Sequence, residues 1–302
     1  MFIDILLLLP VFISALVLKI FRRVGAHRLP LLRKTLIYVG VFPIRDHYYE
    51  PLFNPKHLKH SLDLERFLPG ISWNIDDQIS LLKRFNYEND ILSIDNFDVN
   101  NGSFGPGDIE IWYSIIRYFK PSRIIEIGSG YSTIVATNAI IDNKKDDKNY
   151  VCDHLCIEPY EMEWLESFGV KVLRQVVEDV DLSIFKELNN GDILFIDSSH
   201  IIRPQGDVLR EFLQILPLLN KGVIVHIHDI FTPRDYSKNA ILNHVSFWNE
   251  QYLLEAFLSQ NDQWEIITMV NHLKHSNYEI LKNACPYLEN INEPGSFYIR
   301  KR

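Results

Sequence analysis

Cysteine is scarce in this chain: 302 residues carry only Cys152, Cys156 and Cys285. So sparse and odd a set provides no disulfide framework and points to a reducing compartment. Excess positive charge is also missing. A net charge of −8 and a pI near 5.8 argue against a nucleic-acid polyanion as the main partner. There is no internal repeat, no low-complexity tract, no Gly-x-Ser-x-Gly elbow and no Gly-x-x-x-x-Gly-Lys phosphate loop. Cys152, His154 and Cys156 would share one strand face, but no second ligand pair follows to complete a zinc site. Ordinary buried or edge strand residues are the simpler reading. What remains is ample for a folded domain: 47% hydrophobic and 23% charged residues.

Acidic residues are absent between Asp4 and Asp46, while Lys19, Arg22, Arg23, Arg28, Arg33, Lys34 and Arg45 fall there. The uncharged run Ile5–Leu18 is extended by Phe2, Ile3, Ile20 and Phe21 toward the roughly 20 residues a bilayer needs, and Lys19 can snorkel. A cleavable signal has its charge before the apolar core; here the positive charge follows it. The order predicts a membrane anchor over residues 1–24 with the C-terminal body in the cytoplasm, and membrane lipid as a partner. The alternative is a buried or interfacial helix that does not span.

Residues 25–102 lack a regular rhythm and hold Pro30, Pro43, Pro51, Pro55 and Pro69. They read as an irregular cap, in which Tyr48, Tyr49 and Trp73 are candidate substrate contacts or simple packing. The turn-rich Asn101–Gly107 marks a boundary. Beyond it, helix 108–119 precedes strands at 123–127, 151–157, 170–176, 192–196 and 223–227. Helices near 131, 161–168, 182–188 and 207–219 alternate with them. Helix 247–258 and strands 264–270 and 296–300 close the chain. Apolar strands alternating with helices predict an α/β fold with a doubly wound, mostly parallel seven-stranded sheet and an antiparallel last strand. The hydrophobic helix and the cap precede this domain, which spans 103–302.

Chemistry concentrates at the expected strand ends. In Ile124-Ile-Glu-Ile-Gly-Ser-Gly-Tyr-Ser-Thr133, a buried strand ends in Glu126, and Gly128 and Gly130 permit a tight turn close to a ligand. Glu158 ends the next strand, where a carboxylate suits two ribose hydroxyls. Glu178 and Asp179 follow the third. Asp197 and Asp229 end two strands that should be neighbours, with His200, His226 and His228 nearby.

The glycine turn with its acid resembles motif I of class I S-adenosylmethionine-dependent methyltransferases, and the later motifs are similar to the O-methyltransferase branch. The resemblance implies S-adenosylmethionine as cofactor, held by Glu126, Gly128, Ser129, Gly130, Ser132, Glu158, Glu178 or Asp179, and Asp197. Glu126 would help place the methionine amino group, and Glu178 or Asp179 would lie near the adenine amino group. It also implies transfer to a hydroxyl of a sugar, glycan or small metabolite. Asp197, His200 and Asp229 are the catalytic candidates: His200 as base, and Asp197 with Asp229 as ligands for a divalent cation such as Mg²⁺. Departures from the family's pattern are Ser132 at the last motif glycine and Ile230 where a second metal ligand usually follows Asp229. Strand alternation would point His228 away from Asp229. Two other readings compete. A nicotinamide oxidoreductase is disfavoured by Glu126 and by Thr133 at its third glycine; a membrane-tethered scaffold would keep the fold without catalysis.

Overall fold

Alternation along β1 (Arg123–Ile127) sends Ile125 and Ile127 to one side of a sheet and Ile124 to the other. This pattern is repeated in neighbouring strands and builds two hydrophobic cores. The computed structural model describes residues 2–47, 51–52, 54, 57–94, 97–160 and 162–302. The chain divides into two compact units, Met1–Ser61 with Asn239–Phe247 and Leu62–Lys238 with Trp248–Arg302.

In the first unit, α1 (Phe2–Val24) has a mean hydropathy of 2.4 over its most apolar window, none of it buried, and is long and apolar enough to cross a membrane. Gly25, at φ 104°, turns the chain, and α2 (Pro30–Val39) follows, opened by Pro30 and closed by Gly40 in the left-handed region.

The second unit starts from a stretch expected to be irregular that in fact holds α3 (Ile75–Leu82) and α4 (Glu88–Leu92). α3 is fixed because buried Gln78 donates to Trp73 O and accepts the Met269 amide at 2.9 Å. α5 (Asp108–Phe119) begins where Glu110 Oε2 accepts the Gly107 amide at 2.5 Å, and it ends before Pro121. Then come β1, α6 (Tyr131–Asp146), β2 (Asp153–Ile157), β3 (Lys171–Leu173), α7 (Ser183–Lys186), β4 (Ile193–Ile196), α8 (Asp207–Arg210), α9 (Leu216–Leu218) and β5 (Ile224–Ile227). α10 (Glu250–Leu258), β6 (Trp264–Met269), α11 (Val270–Ser276), α12 (Tyr278–Ala284) and β7 (Phe297–Lys301) complete the chain.

The sheet order is β3-β2-β1-β4-β5-β7-β6. β1 to β5 pair in parallel, and β7 runs antiparallel to both β5 and β6. The expected seven-stranded sheet with its antiparallel last strand is therefore present. One face packs Ile125, Leu194 and Val225 against Val208, Phe212 and Leu254; the other packs Ile124, Phe195 and Ile224 against Trp112, Val135 and Leu281.

Local differences from the sequence reading have physical causes. The expected strand 170–176 shortens to β3, an edge strand paired on one side, because the Gln175 amide turns back to Leu173 O at 2.9 Å. The expected helix 207–219 is one wide π turn at Glu211–Ile215 between α8 and α9, since Pro217 has no N–H to continue the ladder. Only a short 3₁₀ turn, Leu165–Phe168, forms where a helix was expected over 161–168, and Glu161 lies outside the described residues.

Candidate active site

The carboxyl ends of parallel strands β1, β2, β4 and β5 converge on one edge of the sheet, where this topology places ligands. Gly128 makes the first approach. Its φ is 77°, and a Cβ there would lie 1.9 Å from the Asp197 carbonyl oxygen. Only glycine lets the loop after β1 cross the end of β4 so closely. The Gly128 amide bonds Ile157 O at 3.1 Å, and the Asp197 amide bonds Ile127 O at 2.9 Å, locking three strand ends together.

Glu158 is buried beside this loop. Its carboxylate accepts the Ser129 amide at 3.3 Å and the Tyr160 amide at 3.0 Å. Ser129 Oγ is buried, and the partner at hand is the weakly bonding Cys156 thiol. A hydroxyl so poorly satisfied inside a glycine loop, next to an oriented carboxylate, fits a polar ligand such as a nucleoside cofactor.

Glu126 stands just before the loop, as the fourth residue of β1. It is fully buried, and its carboxylate is already engaged: Ser132 Oγ donates at 2.8 Å, Thr133 Oγ1 donates at 3.0 Å, and His154 Nε2 lies at 2.5 Å. It pins the first turn of α6 from beneath and does not face the crevice. Ser132 is drawn into the same network, so its hydroxyl is not turned to a ligand. Cys156 completes this buried cluster, a mutually bonded core group rather than a set of open ligands. Burial pushes the Cys156 thiol above its ordinary range, and Glu126 pushes in the same direction. Of the pair after β3, Glu178 is half-buried and Asp179 is exposed, both in the turn Val177–Asp179.

Asp197, His200 and Asp229 come together, with one ligand atom from each within 4.8 Å of the others. His200 Nε2 lies 3.4 Å from Asp197 Oδ1 and 3.4 Å from Asp229 Oδ2. Its Nδ1 lies 2.9 Å from Oε2 of Glu250, at the start of α10. His200 and Asp229 both have left-handed backbones, φ 59° and 57°, conformations that cost a non-glycine residue energy and cluster at functional sites. Burial would lower the His200 pKa, but the Glu250 bond and the charges of Glu250, Asp197 and Asp229 outweigh it and raise it to about 9. Two carboxylates and an imidazole, with both aspartates partly open to solvent, form a donor set suited to a hard divalent cation.

His228 also belongs to the site. Alternation would have turned it away, but β5 ends at Ile227 and Asp229 adopts a left-handed conformation. His228 Nδ1 therefore lies 3.5 Å from Asp197 Oδ1 and 3.9 Å from Asp229 Oδ1. Its Nε2 lies 3.5 Å from Oδ2 of Asp108, the first residue of α5. Burial opposes its charge, yet Asp197, Asp229 and Asp108 raise its pKa well above 6.5. His226 is the core histidine: stacked on Tyr298 at 4.1 Å and bonded to Ser296 Oγ at 2.9 Å, it is kept neutral by burial. Asp108 and Glu250 were missed in the sequence, because an acid in the first turn of a helix reads equally well as a partner of the helix dipole. Trp73 packs on the core and stacks with His272 at 6.4 Å; Tyr48 and Tyr49 lie outside the described residues.

Residues 125–230, from the middle of β1 to just past Asp229, match the family model described as a methyltransferase domain. This stretch of the chain is similar to a methyltransferase domain. The matched segment takes in the ends of β1, β2, β4 and β5 that build the site. An uncharacterized protein of Archaeoglobus fulgidus is 29% identical in an alignment 175 positions long that covers 51% of this chain and 76% of that protein. Among solved structures, an O-methyltransferase from Bacillus cereus in complex with SAH aligns with a TM-score of 0.37 and 13% identity, covering 76% of this chain and 98% of that one. The O-methyltransferase TomG from Streptomyces achromogenes aligns with a TM-score of 0.39 and 14% identity, over 73% of this chain and 88% of that one.

Proposed function

We propose that this chain is an S-adenosylmethionine-dependent methyltransferase that transfers the methyl group to a hydroxyl of a sugar, glycan or small metabolite, with His200 as general base. The observation that carries the reading is the placement of His200 between Asp197 and Asp229, with Glu250 behind it, beside the glycine loop. Bound S-adenosylmethionine supplies a methyl group on a sulfonium, which is already a good leaving group, so alignment and deprotonation of the acceptor are what the protein must add. Gly128, Ser129, Gly130 and Glu158 would hold the cofactor, with Glu178 or Asp179 toward its base and Asp197 closing the site. Glu126 and Ser132 act indirectly, by fixing the loop.

At the acceptor, the hydroxyl proton passes to Nε2 of His200, and Glu250 at Nδ1 steadies the imidazolium formed. Asp197 and Asp229 would hold a divalent cation such as Mg²⁺, which would supply Lewis-acid polarisation of the hydroxyl while Nε2 of His200 keeps its lone pair for the proton. A cavity of about 360 Å³ opens beside Phe231, two residues past Asp229, and is lined by Arg234, Tyr236, Lys238, His275 and Glu293. Its charged groups could bond the hydroxyls of such an acceptor, and Leu62 and Phe231 could cover its apolar faces. The domain is assigned to 103–302, with 1–24 as a membrane anchor and the catalytic body on the cytoplasmic side.

The test is calorimetric titration of the detergent-solubilised full chain with S-adenosylmethionine and with NAD, followed by labelled methyl transfer to hydroxyl acceptors. Binding of S-adenosylmethionine with transfer that His200→Ala abolishes is the expected result. Transfer that persists in His200→Ala at wild-type rates overturns the assignment of the base.

A further inference from the structure

Helix α2 has two unlike sides. With about 100° between successive residues, Leu31, Leu32, Leu36, Tyr38 and Val39 fall within an arc of about 160°, while Arg33 and Lys34 lie outside it, with Ile37 between them. Thr35 belongs to the apolar side, and its hydroxyl is folded back onto Leu31 O at 3.0 Å, leaving its methyl outward. That apolar side is open: Leu31 is 78% exposed, Tyr38 92% and Val39 65%, and Val41 and Phe42 continue the surface. A water-soluble helix does not keep so many large apolar side chains in solvent.

The segment is tied at both ends to the same place. The Gly25 amide bonds Phe21 O at 3.1 Å. After α2 the chain returns so that the Phe42 ring lies 5.9 Å from Phe21 and 5.3 Å from the Arg22 guanidinium. α2, about 15 Å long, thus stays at the basic end of α1. If α1 spans a bilayer, that end sits among the headgroups.

We propose that α2 and the turn after it form a second, interfacial membrane contact, which lays its apolar side on the acyl boundary and its cations on an anionic lipid surface. The proposal rests on the anchor reading of α1. Charge selects this occupant. Every charged side chain from residue 5 to 45 is basic, so pairing with a second copy sets like charges together, whereas anionic headgroups satisfy the cations and acyl chains cover the leucines.

Hydrogen exchange on the full chain in vesicles tests this, using phosphatidylcholine alone or with equal parts phosphatidylglycerol. Peptides covering 5–18 report α1, and peptides covering 31–44 report α2. Both should be protected in the mixed vesicles, with 31–44 less protected without phosphatidylglycerol. Leu32→Glu with Val39→Glu should speed exchange across 31–44 by about tenfold or more while 5–18 stays protected. Arg33→Glu with Lys34→Glu should remove the dependence on phosphatidylglycerol. Equal exchange of 31–44 in wild type and the Leu32/Val39 variant overturns the interfacial contact and leaves the anchor standing. Unprotected 5–18 in the wild type overturns the anchor itself. Protection of 31–44 that grows with protein concentration at constant lipid assigns the face to a second copy and overturns the proposal.

Discussion

Nδ1 of His200 lies 2.9 Å from Oε2 of Glu250, and the opposite ring nitrogen reaches Asp197 and Asp229, each at 3.4 Å. One imidazole is thus held by three carboxylates on three separate segments of chain. Its far side is fixed by a buried acid, and its near side faces the partly open pair. Glu250 is a positioning residue: it sets the ring's orientation and proton affinity without facing the crevice.

That relationship gives the first prediction. In chelator-treated protein the His200 imidazole should titrate near pH 9 by NMR, because surrounding carboxylates outweigh its burial. Glu250→Gln removes one of those charges and should move the titration to lower pH, while kcat falls by about 10- to 100-fold through lost orientation. Glu250→Asp should recover part of the rate. An unchanged His200 titration in Glu250→Gln would show that the contact is packing only.

A divalent cation on Asp197 and Asp229 would cancel the negative charge that keeps His200 protonated. The sign follows: with Mg²⁺ the imidazole loses its proton at lower pH, and the base becomes available nearer neutrality. Chelation should therefore lower kcat at pH 7 by about 100-fold and move the rising limb of the pH–rate profile toward alkali. Mg²⁺ should reverse both changes in the wild type and fail to do so in Asp229→Asn. Identical profiles with and without chelator would remove the cation from the site.

Cofactor binding should depend on the glycine loop more steeply than on any one carboxylate. At Gly128, φ is 77° and the Asp197 carbonyl stands 1.9 Å from where a Cβ would be. Gly128→Ala must move the loop, and strain of about 1–3 kcal/mol is expected from the backbone alone. Calorimetry should find S-adenosylmethionine binding lost in this variant. Glu158→Ala should weaken binding by about 10- to 100-fold, as the loss of charge-assisted bonds implies, with a smaller effect on kcat. Asp197→Asn should do the opposite, slowing turnover more than binding.

Much of this site was legible in the sequence, for physical reasons that also mark its limits. β1, β4 and β5 are short, mostly apolar runs, buried except at Arg123, and each is followed by a residue that changes the pattern: Gly128, Asp197 or His228 with Asp229. The tips of adjacent parallel strands must be neighbours, so Asp197 and Asp229 could be paired without coordinates. Alternation, however, holds only while the strand lasts. His228 stands just past the end of β5, and the turn at Asp229 carries it back toward Asp197. Glu126 shows a different limit: the sequence places it at the strand end, but only packing reveals that Ser132, Thr133 and His154 enclose it. Asp108 and Glu250 are tertiary partners on helices remote in sequence, and nothing local distinguishes them from helix-capping acids.

Asp108 has a neighbour that yields a prediction about stability. Glu110 is fully buried; burial outweighs the Gly107 and Tyr287 amides that bond it and raises its pKa from 4.5 to about 7. The native state therefore binds this proton more tightly than the unfolded chain does. The resulting stabilisation is complete below pH 4.5 and is lost as pH rises through about 7. It amounts to about 3 kcal/mol, the size of the pKa shift expressed as free energy. Glu110→Gln cannot ionise, so unfolding followed in detergent should show a flatter pH dependence between about 4.5 and 7 than the wild type. Its stability at acid pH should be somewhat lower, because the glutamine NH2 would face one of the two backbone N–H donors, where the carboxylic acid presents an oxygen. Parallel wild-type and variant curves across that interval would mean that Glu110 is already ionised in the folded protein.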